Sequence, residues 1–285
     1  MTRRAVTSAH PARRRVALAV RGAVLLAFAG FFAVPLTWLV LAPTKTGDDL
    51  LNRSPLAVGN LHNVWLAWRS MDAFGGHIFR RWMENSFLYT SSATAIALAV
   101  AVPAGYGLAT TRFRGRKLVL SLTLIAMLIP ASSLVLPIYL ELDAMNLIGN
   151  AFSIILPFAF FPFGVYLAYI YYATTLPPGL LDAARVDGCS ELQTFVRVAL
   201  PLAKPVVALV FFFSFVADWT NFFLPYAILP DQKEFPVQVG LTDIFQSSRP
   251  ALALATLIAA LPVAIVFVVS QRALVRGLVG GATKG

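Results

Sequence analysis

The chain has 285 residues, of which 58% are hydrophobic and only 13% charged, and its mean hydropathy is +0.75. A soluble domain of this length is expected to be about a quarter charged, so the composition excludes a water-soluble globule and makes this an integral membrane protein. The net charge of +10 could suggest a nucleic-acid partner, but the Lys and Arg cluster at the ends of apolar runs, where membrane topology puts them.

Met1–Arg21 is a basic tail with Arg3, Arg4, Arg13, Arg14, Arg15 and Arg21, and is expected to be a disordered segment that sets topology. Gly22–Ala42 follows as about 21 uncharged residues, enough to cross ~30 Å of hydrocarbon. A cleaved signal peptide is the alternative, but its apolar region would normally run only ~7–15 residues. Pro43–Glu84 is polar and of mixed charge. Within it Leu61, Val64, Trp65 and Trp68 form a stripe at helical spacing, expected to lie at the membrane interface or to pack on the spans; contact with an external partner is the other role open to it.

Further apolar runs cover roughly Ser86–Thr110, Leu118–Leu140, Ala151–Tyr172, Val206–Leu229 and Ala251–Ser270. With the first run they predict an all-α membrane protein of six transmembrane helices, since their lengths suit helices rather than ~10-residue barrel strands. Pro103, Pro130, Pro137, Pro157, Pro162, Pro225 and Pro262 fall inside the runs and predict kinks, either as packing devices or as broken helices lining a pathway. With the N-terminus inside, the segments 1–21, 111–117, 173–204 and 271–285 carry more than twice as many Lys and Arg as the outer ones. Both termini and the 173–204 loop are therefore expected in the cytoplasm of a multi-pass inner (plasma) membrane protein.

That loop, with its flanks Leu176–Pro205, is the most informative stretch. Pro178 suits a first helical turn, Asp182 an early turn where negative charge favours the helix dipole, and Gly188 a left-handed C-cap. Ser190 with Gln193 reads as a capping box opening a second helix, with Leu192, Phe195, Val196 and Ala199 on one face and Pro201 and Pro205 stopping it. Two short helices in an L are expected. Cys189, the single cysteine, permits no intrachain disulfide and reads as a small packing residue.

In the fifth run lies DWTNFFLP, 218–225. An aspartate near the centre of a span costs about 2.5–3.5 kcal/mol on insertion scales, so Asp218 should face a cavity or a partner. Asp218, Trp219, Thr220 and Asn221 are candidate pathway residues, Trp219 offering a stacking face and the others hydrogen bonds; a polar clamp between helices is the competing reading. No catalytic set is visible. His10, His62 and His77 have no metal-ligand spacing, and no G-x4-G-K-[ST] phosphate loop is present, so the chain is expected not to be an enzyme and to carry no metal or other cofactor of its own.

Asp182-Ala183-Ala184, three residues, Gly188, nine residues and Val198-Ala199-Leu200-Pro201 resemble the EAA loop of importer-type ABC transporter permeases, with Asp in place of Glu and Val in place of Ile. Asn85-Ser86, AGYGLAT at 104–110, IPASSLVLPIYL at 129–140, IILP at 154–157, FPVQVGL at 235–241 and the closing run 260–285, with Gly277, Gly281, Lys284 and Gly285, look like the carbohydrate-importing branch, in particular the smaller membrane subunit of maltose-type importers. DWTNFFLP departs from that family's W-N-[DE]-F-L-x-P, which weakens any transfer of solute contacts.

The resemblance implies a basic tail at 1–21 and a permease domain at 22–285, with a family core of about 85–275 and a coupling loop at 176–205. It further implies a second permease subunit, two ATPase subunits holding ATP and Mg, an external solute-binding protein, and surrounding lipid. Asp182, Ala183, Ala184, Gly188, Leu200 and Pro201 would then couple the ATPases to the spans. The solute implied is a sugar, an oligosaccharide or a glycerol-phosphate-like compound. A permease of the same superfamily for another solute, and a secondary transporter driven by an ion gradient, are the rival functions.

Overall fold

The structure, a computed structural model, describes residues 11–280, which divide into two units: residues up to Met71 with Ser248–Leu257, and Asp72–Ser247 with the residues from Ile258 onward. Among the described residues every regular element is helical.

The first unit holds α1 (Pro11–Leu41), α2 (Gly47–Asn52), α3 (Leu61–Ala73) and the start of α15 (Arg249–Gly280). Helix α1 begins at Pro11, so the later part of the basic tail is helical rather than irregular; Pro at a first turn loses no hydrogen bond and presets the backbone. Arg3, Arg4, His10, Gly281, Lys284 and Gly285 lie outside the described residues. Between α1 and α3 the chain is tied by polar side chains. The buried ammonium of Lys45 donates to the Ser54 and Pro55 carbonyls at 3.0 and 2.8 Å, and Asn63 donates to the Thr44 carbonyl at 2.9 Å. In α3 the expected stripe is the outward face. Leu61, Trp65 and Trp68 are exposed, while Ala67 and Met71 are buried. The tryptophans are thus only partly covered by the described residues.

The second unit is built around α4 (Ile78–Thr110) and α8 (Pro162–Thr175), which pack against each other over much of their length. The approach depends on small residues. A Cβ on Gly105 would lie 2.4 Å from Cβ of Ala168, so the backbones meet as only small side chains allow. Around this pair lie α5 (Arg116–Leu128), α6 (Val135–Ala144), α7 (Ala151–Ala159), α12 (Lys204–Trp219), α13 (Phe223–Ile228) and α14 (Val237–Ser247), together with the later part of α15.

Four helical stretches are long and apolar enough to cross a bilayer: 15–44, 78–110, 151–175 and 249–274. Two more candidate spans are bent pairs: α5 with Ala131–Ala144 at 98°, and Glu191–Leu202 with α12 at 79°. Six candidate spans are reached if each bent pair counts as one, and three of the apolar runs, 118–140, 151–172 and 206–229, are interrupted. The interruptions follow from the prolines. Pro130 drives Ile129 out of the helical region, and Pro162 opens α8 after the extended Phe160. The fifth run breaks instead at Thr220–Phe222, between α12 and α13.

Candidate functional site

Two places carry the sequence-predicted residues: an elbow at 176–205 and a cavity at the far end of α12.

The elbow is written almost entirely by local chemistry. Helix α9 (Pro178–Val186) ends in a left-handed Gly188 at φ 84°. The Cys189 N–H bonds to the Ala184 carbonyl and the Gly188 N–H to that of Arg185, both at 3.0 Å, the pair of bonds that closes a helix on glycine. Ser190 then caps α10 (Glu191–Thr194). Its hydroxyl accepts the Gln193 backbone N–H at 3.3 Å, and the Gln193 side-chain oxygen Oε1 accepts the Ser190 N–H at 3.0 Å.

The second helix is not regular. Phe195–Ala199 is one wide turn in which the Leu200 N–H reaches the Phe195 carbonyl, before α11 (Leu200–Leu202). Pro201 has no N–H for the carbonyl four residues back and its ring would press on it; the wider turn relieves both.

Asp182 stands in the second turn of α9, past the reach of the dipole, and its carboxylate accepts from Arg185 at 3.0 Å. Arg185 also donates to Glu191 at 2.9 Å, so one guanidinium joins both arms of the L across the Gly188 corner. Glu191, then Asp182, holds the Arg185 pKa above its ordinary value. The alanines divide: Ala184 is buried, whereas Ala183 is exposed. Leu200 is half-buried and Pro201 exposed. Leu181 and Ala199 belong to one core cluster with Tyr106 of α4, Tyr172 of α8 and Val206 and Val210 of α12. The elbow is therefore rooted in the base of three spans. Its outward face carries Val186 and Leu192, 87% and 71% exposed.

The cavity, about 720 Å³, opens where the three interruptions converge. Ile129 and Ala131 come from the first, Phe160, Phe161 and Pro162 from the second, and Asp218, Asn221 and Leu224 from the third. Asp218 is 8% exposed. Its Oδ2 accepts from the hydroxyls of Thr94 and Ser214, each at 3.3 Å. Asn221 lines the cavity and its side-chain oxygen accepts the Leu224 N–H at 3.4 Å, fixing the turn into α13. Thr220 lines a smaller neighbouring pocket and donates to the Val216 carbonyl.

Trp219 is turned away from the cavity. It is buried, stacked on Phe215 at 5.6 Å and set edge-on to Phe87 at 4.9 Å, with its N–H donated to the Ala259 carbonyl at 2.9 Å. In this conformation it offers no free face for stacking, and it locks α12 to α15.

Sequence reasoning passed over several partners. Thr94 sits 124 positions from Asp218, and nothing in its own run marks it out. Ser214, at i−4 from Asp218 on one helix face, was a usable signal. Glu141 lines the cavity from α6 although its place at the end of an apolar run suggested an outer loop. Trp82 closes over Gly240, where a Cβ would lie 2.2 Å from the indole ring, and donates to the Gln232 carbonyl at 2.7 Å. Beside it Asn85 donates to the Lys233 and Phe235 carbonyls, and Ser86 accepts the Val237 N–H at 2.7 Å. The polar start of α4 thus grips the FPVQVGL segment.

Residues 101–280 match the family described as binding-protein-dependent transport system inner membrane component, a stretch that includes both the elbow and the cavity. The chain belongs to that family. This permease chain is similar to the arabinooligosaccharides transport system permease protein AraQ of Bacillus subtilis (strain 168), at 33% identity over 89% of this chain and 91% of that one. It is also similar to the diacetylchitobiose uptake system permease protein NgcG of Streptomyces coelicolor, at 26% identity over 89% of this chain and 85% of that one. Its fold is that of a chain in the crystal structure of a bacterial ABC transporter involved in the import of the acidic polysaccharide alginate. The TM-score is 0.79, with 93% of this chain and 99% of that one covered at 22% identity. The permease is accordingly a multi-pass membrane protein and a transport subunit.

Proposed function

We propose that this permease is one of two membrane subunits of an ATP-driven importer for a sugar, an oligosaccharide or a glycerol-phosphate-like solute, handed over by an external solute-binding protein. Two separate ATPase subunits hold ATP and Mg and dock on the elbow, with Asp182, Ala183 and Gly188 at the contact and Ala184, Leu200 and Pro201 holding the elbow to the spans. The excess of Lys and Arg on the 1–21, 111–117, 173–204 and 271–285 segments supports a cytoplasmic side for the elbow and both termini.

The observation that carries the reading is that one helix joins elbow to cavity. Helix α12 starts two residues after α11 and ends at Trp219, one residue past Asp218 of the cavity wall. Its 16 residues make a rod of about 24 Å. An apolar, capped elbow is the shape that fits a groove on a partner as a rigid knob. A push on it would reach the cavity without being absorbed, so that helix bundles rock about a site near the midplane. Asp218 and Asn221 would hydrogen-bond the passing solute, and Trp219 would position them.

The test is uptake of a radiolabelled arabinotriose by proteoliposomes holding this chain, its companion permease, the ATPases and the binding protein. Uptake that needs ATP and is lost on adding Gly188→Val is the expected result. Uptake by this chain alone under an ion gradient would overturn the reading.

A further inference from the structure

The chain is strongly basic, with 23 Lys and Arg against 13 Asp and Glu, yet the cavity at the end of α12 has the opposite character. Asp218 and Glu141 line it, and no Lys, Arg or His does. Neither carboxylate has an ion-pair partner among the described residues. Asp218 spends only Oδ2 on Thr94 and Ser214, which leaves Oδ1 for whatever enters. Asn221 has already committed its side-chain oxygen to the Leu224 N–H, so its amide hydrogens are what remain to offer. The rest of the wall is apolar, with Phe158, Phe160 and Phe161 supplying ring surface.

We infer that this cavity selects uncharged or cationic solutes and rejects anionic ones, with Asp218 and Glu141 as the specificity-determining residues. The inference rests on the cavity being the transport pathway, and it removes the glycerol-phosphate-like option from the proposed range. Neutral sugars suit such a wall because their hydroxyls donate to carboxylates while their C–H faces lie on aromatic rings. An amino sugar gains a charge pair. A phosphate, sulfonate or uronate meets two carboxylates in a cleft of low dielectric with no cation among the described residues to offset them, where like-charge repulsion is weakly screened.

The charge can be read without knowing the solute. In the assembled transporter in lipid nanodiscs, with the other subunits cysteine-free and Cys189→Ser removing this chain's single thiol, Ala217→Cys sets a reporter on the cavity wall next to Asp218. Its reaction rates with a trimethylammonium-ethyl and a sulfonatoethyl methanethiosulfonate are compared, each normalised to the rate with free mercaptoethanol. A cleft lined by one sign of charge enriches counter-ions about tenfold or more, so the cationic reagent is expected to win by that factor. Asp218→Asn with Glu141→Gln should bring the ratio close to one. A normalised ratio at or below one, or one that both neutralisations leave unchanged, overturns the charge assignment.

ATP-driven uptake of radiolabelled arabinotriose by the labelled complex is followed in parallel. If labelling stops uptake but the ratio is flat, the charge inference alone fails. If complete labelling leaves uptake intact, the cavity is not the pathway and both readings fall.

Discussion

At one end of α12 the bonds that shape the elbow's corner close within six residues, from the Gly188 C-cap to the Arg185–Glu191 pair. A single longer bond, from the Tyr171 hydroxyl to the Leu202 carbonyl at 2.7 Å, ties its second arm to α8. At the other end Asp218 takes one of its partners from 124 positions away and Trp219 takes its own from 40. A unit that closes locally keeps its shape whatever the spans around it do, so it can receive a push. A rim assembled from distant helices changes as soon as those helices shift, so it can open. On the proposed reading the two ends of one rod serve different halves of a transport cycle, and substitutions at four places test that contrast.

The largest effect is expected at the corner. Gly188 sits at φ 84° with nothing within 4 Å of where a Cβ would stand, so a side chain there meets backbone strain and no clash. A β-branched residue pays at least the ~1–2 kcal/mol of a left-handed L-residue, whereas Asn tolerates that region. Gly188→Val is expected to leave the protein in the membrane and ATPase activity running, with ATP-driven uptake down by more than about tenfold, the equivalent of ~1.4 kcal/mol. Gly188→Asn should retain most of it. Equal uptake by the two variants and the parent would mean that the corner's rigidity is irrelevant to coupling.

At the rim, Asp218→Ala strands the Thr94 and Ser214 hydroxyls, which are buried, at a cost of about 1 kcal/mol for each lost partner. For a pathway residue the fall in uptake, several-fold, should exceed what the loss of thermal stability in detergent accounts for, and Asp218→Asn should restore stability but not full uptake. If Asp218→Asn restores both, the residue is a clamp between α4 and α12 and the rim's role passes to Asn221 and Glu141.

The same contrast explains what could be read from the sequence. The elbow was legible nearly to the residue because Pro178, Gly188, Ser190 and Gln193 each act on a neighbour, and short-range chemistry is visible in a string of letters. Where it was misread, at Asp182 and in the wide turn before Pro201, the competitor was again close by: Arg185 three residues on and the ring of Pro201 itself. The six apolar runs were legible because hydrocarbon thickness imposes their length. Which prolines would merely sit inside a helix, as Pro103 and Pro262 do, and which would break it, as Pro130 does, was not legible. That depends on whether a neighbouring helix satisfies the freed carbonyl. The cavity was hidden for the same reason, since Thr94, Glu141 and Asp218 belong to separate runs that only packing brings together. Trp219 was assigned a free ring face, which Phe87 and Phe215 occupy.

A smaller effect is expected from the cap. Ser190→Ala removes one half of the box that opens α10, worth about 1 kcal/mol in typical helices, and should lower the protection of the 191–194 amides in hydrogen exchange with little change at the cavity. Loss of protection spreading along α12 would mean that the elbow is less self-contained than its bonds suggest.

The smallest is the ion pair across the corner. Arg185 is 39% exposed and Glu191 59%, so solvent screens the attraction, and exposed pairs typically contribute only about 0.2–1 kcal/mol. Arg185→Gln and Glu191→Gln, alone and together, form a double-mutant cycle in which the coupling between the two sites should be about 0.5 kcal/mol. Read as the uptake rate, that amounts to roughly a twofold interaction. It should fade when ionic strength is raised from low salt to ~1 M, where the screening length shrinks to about 3 Å. A coupling that survives high salt would point to hydrogen-bond geometry rather than charge as what holds the two arms. A coupling of several kcal/mol would instead mean that the corner's rigidity resides in this pair, with Gly188 only permitting the turn.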